Sequence, residues 1–375
     1  MRPQRSHLPA SDALPIVTIG RRRIGPHQPI FIVAELSANH NQNYRQAVRI
    51  LKTAKDAGAD AVKIQTYTAD TLTIDCNRRW FRIRGTLWQG RTLHDLYSEA
   101  YTPWEWQPRL QQEAQKLGLD FFSTPFDAMA VDFLEQMRVP VHKIASFELV
   151  DHALLRRVAA TGKPIILSTG MATQAEIREA VLAIRATGNR RIILLKCTSA
   201  YPAEPKSMNL RTIPHMAKAF GCPVGLSDHT LGIAVPVAAV ALGACVIEKH
   251  LTLSRAAGGP DAAFSLEPHE FREMVQAVRV AERALGRVSY APTAQEGASR
   301  AFRRSLFVVR DMCAREHFTT ENVRSIRPGH GLPPKHLAKV LGRCAVRKIA
   351  RGTPLAWNLV GPVNAKTFVS PQTSR

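Results

Sequence analysis

Eight short apolar runs, each separated from the next by room for a helix, constrain this chain more than any other feature. They are FIVAEL (31–36), AVKIQT (61–66), DFFSTPF (120–126), VHKIAS (141–146), PIILST (164–169), IILLKCTS (192–199), PVGLSDH (223–229) and CVIEKHL (245–251). Each is nearly continuous in apolar and β-branched residues, the pattern of parallel strands covered on both faces. Helix-period segments lie between them. In YRQAVRILKTAKDAG, Ala47, Ile50, Leu51 and Ala54 form one stripe that stops at Gly58. TQAEIREAVLAIRATG opens with Thr173 as an N-cap and Glu176 three residues on, a capping-box spacing, and stops at Gly188. MAVDFLEQM, HALLRRVAATG and EFREMVQAVRVAERALG read the same way. Eight strands, each followed by a helix, over about 250 residues predict an α/β fold, the TIM (β/α)8 barrel.

The rest of the chain is arranged around that barrel, assigned to 29–286. Residues 1–28 read as an N-terminal tail with a short β segment. The stretch MRPQRSHLPASDALP has no apolar signal core and reads as disordered. A linker follows at 287–304. At 305–361 short strands, turn residues and one short helix near 335–340 predict a separate small β-rich module, and 362–375 reads as a C-terminal tail. One connection breaks the βα rhythm: strand two ends near Thr66 and its helix begins near Pro103. This insertion, 67–102 with its junction, carries Trp80, Trp88, Trp104 and Trp106, four of the five tryptophans. A βα loop emerges at the C-terminal face, where barrels of this kind keep their active sites. The insertion is therefore either a lid or substrate wall, or a packing insertion or oligomer contact.

Composition narrows the class. Of 375 residues, 45% are hydrophobic and 22% charged, as in a globular protein. The longest uncharged run, GIAVPVAAVALGACVI (232–247), falls short of the ~20 residues of a membrane span. It holds Pro236 and Gly243 and reads as a buried helix followed by a buried strand. None of the six cysteines forms a C-x-x-C pair, and Cys197 and Cys245 sit inside strand-like runs. That predicts reduced thiols in a cytoplasmic protein. The net charge is +21, and residues 300–351 hold thirteen Lys/Arg against Asp311, Glu316 and Glu321. The arginines are scattered among apolar residues without a nucleic-acid motif. A solvated Arg-rich surface fits better than DNA binding, and the same field favours an anionic small substrate.

Polar residues gather where the strands end. Side chains two apart share a strand face. Lys63 therefore joins Gln65, Ser227 joins His229 and Glu248 joins His250, while Asp228 and Lys249 point the other way, Asp228 as structural support. Two histidines at successive strand ends either bind a divalent metal or sit in hydrogen bonds at the rim. Lys63 and Lys143, with Thr124, Ser146, Ser168, Ser199 and Ser227, form a set suited to an oxyanion. Either lysine could instead form a Schiff base, an internal ion pair or a snorkelling surface contact. Glu35 and Glu148 each suit an acid/base, an acceptor for metal-bound water or a partner for a substrate hydroxyl. Asn39 or Asn41 is expected to cap the next helix.

At these residues the sequence resembles a known family. AELSANHNQ, AGADAVKIQTY, FFSTPFD, HKIAS, LSTGMAT, CTSAYPAEP, GLSDHT, EKHLTL, GGPDAAFSL and IRPGHG, in that order, are similar to the nonulosonic (sialic) acid synthase family over about residues 28 to 360. AELSANHNQ, EAYTPWEW and FRRSLFVV are most similar to its pseudaminate branch. Ala38 stands where AELSGNHN often has Gly, a mild change at a backbone turn. The resemblance implies a TIM barrel followed by an antifreeze-like (SAF) β-clip domain. It also implies a domain-swapped homodimer in which one subunit's SAF domain closes the partner's barrel. The implied reaction condenses phosphoenolpyruvate with an open-chain amino-sugar aldehyde and releases phosphate. In the pseudaminate branch that sugar is 2,4-diacetamido-2,4,6-trideoxy-L-altrose.

The resemblance also implies roles. His229 and His250 would hold a divalent ion, Mn first and Mg or Co as alternatives, acting as Lewis acid and template. Lys63, Thr124, Lys143, Ser146, Ser168, Ser199 and Ser227 would hold phosphoenolpyruvate. Gln65, Tyr201, Glu148 and Asp261 would face the sugar, Glu35 would orient water or sugar hydroxyls, and Arg327 would reach the partner's sugar. Two other readings stay open: the same chemistry on N-acetylmannosamine or the legionaminate precursor, and a basic, non-catalytic nucleic-acid or sugar-binding protein. Neither nucleic acid nor membrane is expected as a partner.

Overall fold

The computed structural model describes residues 14–362. The tails expected at the two ends lie outside the described residues, apart from the stretch 14–28 and Pro362. The chain divides after Gly286 into two compact units. In the first, β1 (Val17–Ile19) and β2 (Arg22–Ile24) pair as an antiparallel hairpin. Then β3 (Phe31–Glu35), β4 (Ala61–Thr66), β5 (Asp120–Pro125), β6 (His142–Ile144), β7 (Ile165–Ser168), β8 (Ile192–Cys197), β9 (Val224–Asp228) and β10 (Val246–His250) close into a barrel. They follow chain order, and β10 returns in parallel to β3. All eight predicted runs are strands of this barrel. The fourth, β6, is shorter than its apolar run, because Ser146 already turns into a 3-10 helix at Phe147–Val150.

Alternation sorts the strand residues into two layers. Phe31, Val33, Phe122, Ile166, Ile193 and Val246 pack in one buried cluster with Val17, Ile19 and Ile24 of the hairpin. Their neighbours Ile32, Val62, Ile64, Leu167, Leu194 and Ile247 pack in a second cluster against the helices. The hairpin stoppers the N-terminal mouth of the barrel. Arg22 pins it there through Asp120 (2.8 Å) and Asp60 (3.0 Å), which lie at the N-terminal ends of β5 and β4. With that end filled, only the C-terminal mouth is left for chemistry.

The first barrel helix, Tyr44–Ala57, is capped by Asn43, whose side chain accepts from the Gln46 amide (3.1 Å), and ends at Gly58, which adopts φ +92°. This corrects the expectation for Asn39 and Asn41, and the reason is tertiary. Buried Asn39 donates to the Leu251 carbonyl and the Ser265 hydroxyl, and Asn41 donates to the Gly258 carbonyl. The predicted capping box at Thr173 and Glu176 is present, opening the helix Gln174–Arg185. The uncharged run at 232–247 forms the helix Ala234–Ala241 and then β10.

The insertion after β4 has its own structure, with helices Ala69–Leu72 and Leu93–Ala100 and a 3-10 turn at Arg79–Phe81. Its far end is stapled to the barrel. His40 bonds the Thr102 hydroxyl (3.1 Å), Gln107 donates to the Thr102 carbonyl (3.2 Å), and Thr66 donates to Gln107 (2.7 Å). In the second unit, β11 (Ser305–Val308) and β12 (Val323–Ile326) pair antiparallel. Single bridges such as Met312–Ile349 and Ala345–Val360 complete it around Leu306, Met312, Phe318, Val340 and Leu355. A short helix at Leu337–Val340 matches the one predicted.

Candidate active site

The C-terminal mouth of the barrel opens into a cavity of about 460 Å³, within the size range of small-molecule sites. Strand register builds its floor. Parallel pairing sets Glu35 beside Lys63 and His250 beside Glu35. It also sets Ser227 between Cys197 and Glu248. Lys63 bonds both Glu35 (2.8 Å) and Glu248 (2.9 Å), and Glu248 also receives the Ser227 hydroxyl (3.2 Å) and lies 3.9 Å from the Lys143 ammonium. All of these groups are buried.

Burial lowers Lys63, but Glu248 and Glu35 outweigh it and hold the ammonium above the ordinary lysine range. Burial raises Glu248, yet Lys143 and Lys63 keep it below the usual carboxylate range. Burial raises Glu35 to about 7 against the pull of Lys63. Lys143 has no short contact to a carboxylate, and burial lowers it to about 8. Its ammonium donates to the Ser168 hydroxyl (2.6 Å) and the Ile144 carbonyl (2.9 Å).

A serine cradle lies beside Lys143. The Gly170 amide donates to the Ser146 hydroxyl (3.0 Å). A Cβ on Gly170 would sit 2.2 Å from the Ser199 hydroxyl and 2.7 Å from that of Ser146. Only glycine lets the backbone approach both hydroxyls this closely. The cradle thus joins hydroxyl donors to a cation, the arrangement that suits a phosphate or carboxylate.

The histidines sit under an aromatic roof. The His229 and His250 ring centroids are 5.3 Å apart, and Phe264 packs edge-on to both. Tyr201 lies 4.5 Å from His229 and 5.0 Å from Phe264. Trp88 of the insertion closes over Tyr201 and donates its indole N–H to the Pro260 carbonyl (2.8 Å). The next residue, Asp261, accepts from the Ser37 hydroxyl, and burial raises its pKa. Gln65 donates to the Ser37 hydroxyl (3.2 Å) and faces the same cavity. Glu148 also lines it, and burial raises its carboxyl to about 7. One Glu148 oxygen is buried without a partner.

A profile of the family described as NeuB matches residues 50–290, well over half of the chain, and one of the SAF domain matches residues 303–361. The chain belongs to the NeuB family. Over 333 residues it is 44% identical to the pseudaminic acid synthase of Helicobacter pylori, covering 88% of this chain and 97% of that protein. It is 36% identical to the N,N'-diacetyllegionaminic acid synthase of Legionella pneumophila, covering 89% and 95%. Among solved structures, the N-acetylneuraminic acid synthetase of Leptospira borgpetersenii superposes with a TM-score of 0.69 at 32% identity. It covers 76% of this chain and 95% of that one.

Of the residues singled out from sequence, Lys63, Gln65, Lys143, Ser146, Glu148 and Ser168 face the cavity, as do Tyr201, Ser227, His229, His250 and Asp261. Glu35 and Ser199 stand behind this lining, Glu35 against Lys63 and Ser199 against Gly170. Thr124 does not line the cavity; its hydroxyl is buried and unpartnered. Arg327 directly follows β12 in the second unit. Of the four tryptophans, only Trp88 reaches the cavity. Trp80 is exposed, Trp104 packs on Phe133, and Trp106 packs on His40 and Tyr44.

Sequence reasoning missed Glu248, Ser37, Cys197, Phe264 and the insertion's apolar residues as site components. Glu248 had a signal: it shares a strand face with His250 and is the direct register partner of Ser227. Its neighbour Lys249 points outward as predicted and pairs with Asp228 at 2.5 Å, both fully buried.

The two imidazoles fit a divalent ion. The His229 Nδ1 lies 3.1 Å from the Thr198 carbonyl, which can only accept, so Nδ1 carries the hydrogen and Nε2 is the nitrogen open to a ligand. Burial lowers the ring's pKa, but Cys197 and the Thr198 carbonyl outweigh it and raise it. The His250 Nδ1 is buried without a partner. Burial and the cations around it push His250 well below the usual range, the neutral form a metal ligand needs. Among the described residues no third His, Cys, Asp or Glu completes a protein-only metal cluster. Substrate or water oxygens would fill the remaining positions.

Proposed function

We propose that this chain condenses phosphoenolpyruvate with 2,4-diacetamido-2,4,6-trideoxy-L-altrose to give pseudaminic acid and phosphate. The observation that carries the reading is the meeting of two unlike groups in one cavity. Lys63, Lys143 and a serine cradle suit a phosphorylated carboxylic acid, and His229 and His250 stand beside them under an aromatic roof. The identity to pseudaminic acid synthases supports this choice of sugar.

Ser146, Ser168 and Ser227, with the two ammoniums, would hold the phosphate and carboxylate of phosphoenolpyruvate and fix its C3 toward the acceptor. C3 attacks the aldehyde carbon, water adds to C2, and phosphate leaves with C–O cleavage. A divalent ion on His229 and His250 would supply Lewis acidity toward the aldehyde. Glu148, held near 7 by burial, suits proton transfer near neutral pH. Gln65, Tyr201 and Asp261 would orient sugar hydroxyls and amides, while Phe264 and Trp88 keep bulk water off the reacting carbons. Lys63, held protonated by two carboxylates, suits an electrostatic role rather than a Schiff base. The buried thiols Cys197, Cys222 and Cys245 support a cytoplasmic location. A homodimer in which Arg327 completes the partner's sugar site belongs to the same proposal.

The test is phosphate release from phosphoenolpyruvate with Mn and each candidate sugar. Release with the diacetamido-trideoxy-altrose is expected. Release only with N-acetylmannosamine or the legionaminate precursor overturns the choice of sugar, and release with none overturns the synthase reading. His229→Ala should lower kcat/KM by more than about 100-fold, since disturbing even a ligand's supporting partner typically loses 10–100-fold. Circular dichroism should show the variant folded, and retained turnover would remove His229 from the site.

A further inference from the structure

The cavity has two unlike parts. Its floor, made by the strand ends, is charged and hydroxylated. The insertion contributes Leu72, Ile83, Leu93 and Leu96, and of its remaining lining residues Tyr67, Thr86 and Tyr97 carry hydroxyls. Leu72, Ile83 and Leu93 are half-buried and belong to none of the three hydrophobic clusters among the described residues. Apolar side chains that face a cavity without packing into a core present unused apolar surface, which a ligand's apolar part can cover. The insertion is held over the floor by several hydrogen bonds, among them Trp88 to the Pro260 carbonyl, His40 to the Thr102 hydroxyl and Gln42 to the Glu99 carbonyl. The wall is therefore built in place.

We propose that this wall selects the acceptor sugar. Leu72, Ile83, Leu93 and Leu96 receive the methyl-bearing terminus of a deoxy amino sugar and disfavour the analogue with a hydroxyl at C6. The inference rests on the proposed function and names the specificity element of that site. The chemistry follows from the sugar's own polarity. Its aldehyde end must lie at the floor beside C3 of phosphoenolpyruvate. The opposite end of the open chain then extends toward the insertion, where a C6 methyl covers leucine and isoleucine surface. A C6 hydroxyl there would lose its water and find few partners. A hydrophobic pocket of this kind discriminates by about 10–100-fold.

The test compares two acceptors that differ only at C6, deoxy and hydroxy, at saturating phosphoenolpyruvate. The native chain should prefer the deoxy sugar in kcat/KM by about 10–100-fold. Ile83→Thr and Leu93→Gln should each shrink that ratio by about fivefold or more, while the KM for phosphoenolpyruvate and the melting temperature stay unchanged. Leu87→Thr, at an exposed insertion residue outside the cavity, should leave the ratio as it is. A ratio unmoved in both wall variants, or no preference in the native chain, overturns the proposal. If neither acceptor releases phosphate, the synthase reading fails, and the wall is judged separately. Quenching of tryptophan fluorescence then reports binding of the two sugars' unreactive alditols, and equal affinities overturn it.

Discussion

The strand-end floor and the insertion wall enclose the same cavity by opposite means. The floor places groups on a register that cannot shift without moving the barrel. Most of its charges are buried in ion pairs, Lys63 with Glu35 and Glu248, and Asp228 with Lys249 on the outer face. The wall hangs on a few hydrogen bonds and offers apolar surface. A register can hold reacting groups to fractions of an ångström, as chemistry demands. A sequence-tolerant loop can vary in shape to suit different acceptors. The difference teaches where to look: catalysis on the floor, choice of sugar on the wall.

The comparison can be broken most forcefully from the outer face of the floor. Asp228→Ala leaves Lys249 buried and uncompensated, which should destabilise the protein by about 3–5 kcal/mol. Asp228→Leu combined with Lys249→Met should recover most of that loss in denaturant unfolding. An Asp228→Ala chain as stable as the parent would show that the pair does not hold the floor.

The wall can be loosened by acid. Burial lowers His40 to about 4, from an ordinary value of 6.5. Its Nδ1 accepts the Gln42 amide, so protonation at that atom competes with the bond. The native state favours the neutral ring, so this contribution is full above pH 6.5. It falls as pH drops from 6.5 through about 4, reaching a loss of about 3 kcal/mol. His40→Gln should flatten that part of the stability profile, and an unchanged profile would exclude His40 as its source. The smallest effect is expected at the roof. Trp88→Phe removes the bond to Pro260 but keeps the ring. It should raise the sugar KM by about fivefold, one net hydrogen bond, with kcat held. A change confined to kcat would place Trp88 in the chemistry instead.

The floor was far more legible in the sequence than the wall, and the reason is physical. Parallel barrel strands are continuous apolar runs, so Ser227, His229, Lys63 and His250 stood out against them, and strict alternation assigned their faces. Glu248 was passed over as a site residue because its role appears only across strands, in bonds to Lys63 and Ser227. The insertion has no such period. Tryptophan content drew attention to it correctly, yet three of the four tryptophans serve packing or solvent rather than the cavity. The aliphatic wall that faces the cavity beside Trp88 is made of ordinary leucines and an isoleucine. Asn43 rather than Asn39 or Asn41 caps the first barrel helix because distant loops had already claimed the other two side chains.

The hairpin at the N-terminal mouth has a consequence for traffic. A barrel stoppered at one end is a blind alley, and whatever enters must leave by the same door. On the proposed function, phosphoenolpyruvate held against the deep lysines and serines would arrive before the sugar that would block its way. Phosphate, formed deepest, would then wait until the nine-carbon product had moved aside. That order of arrival and departure would be written into the stopper formed by Val17, Ile19 and Ile24, on the opposite side of the barrel from the cavity.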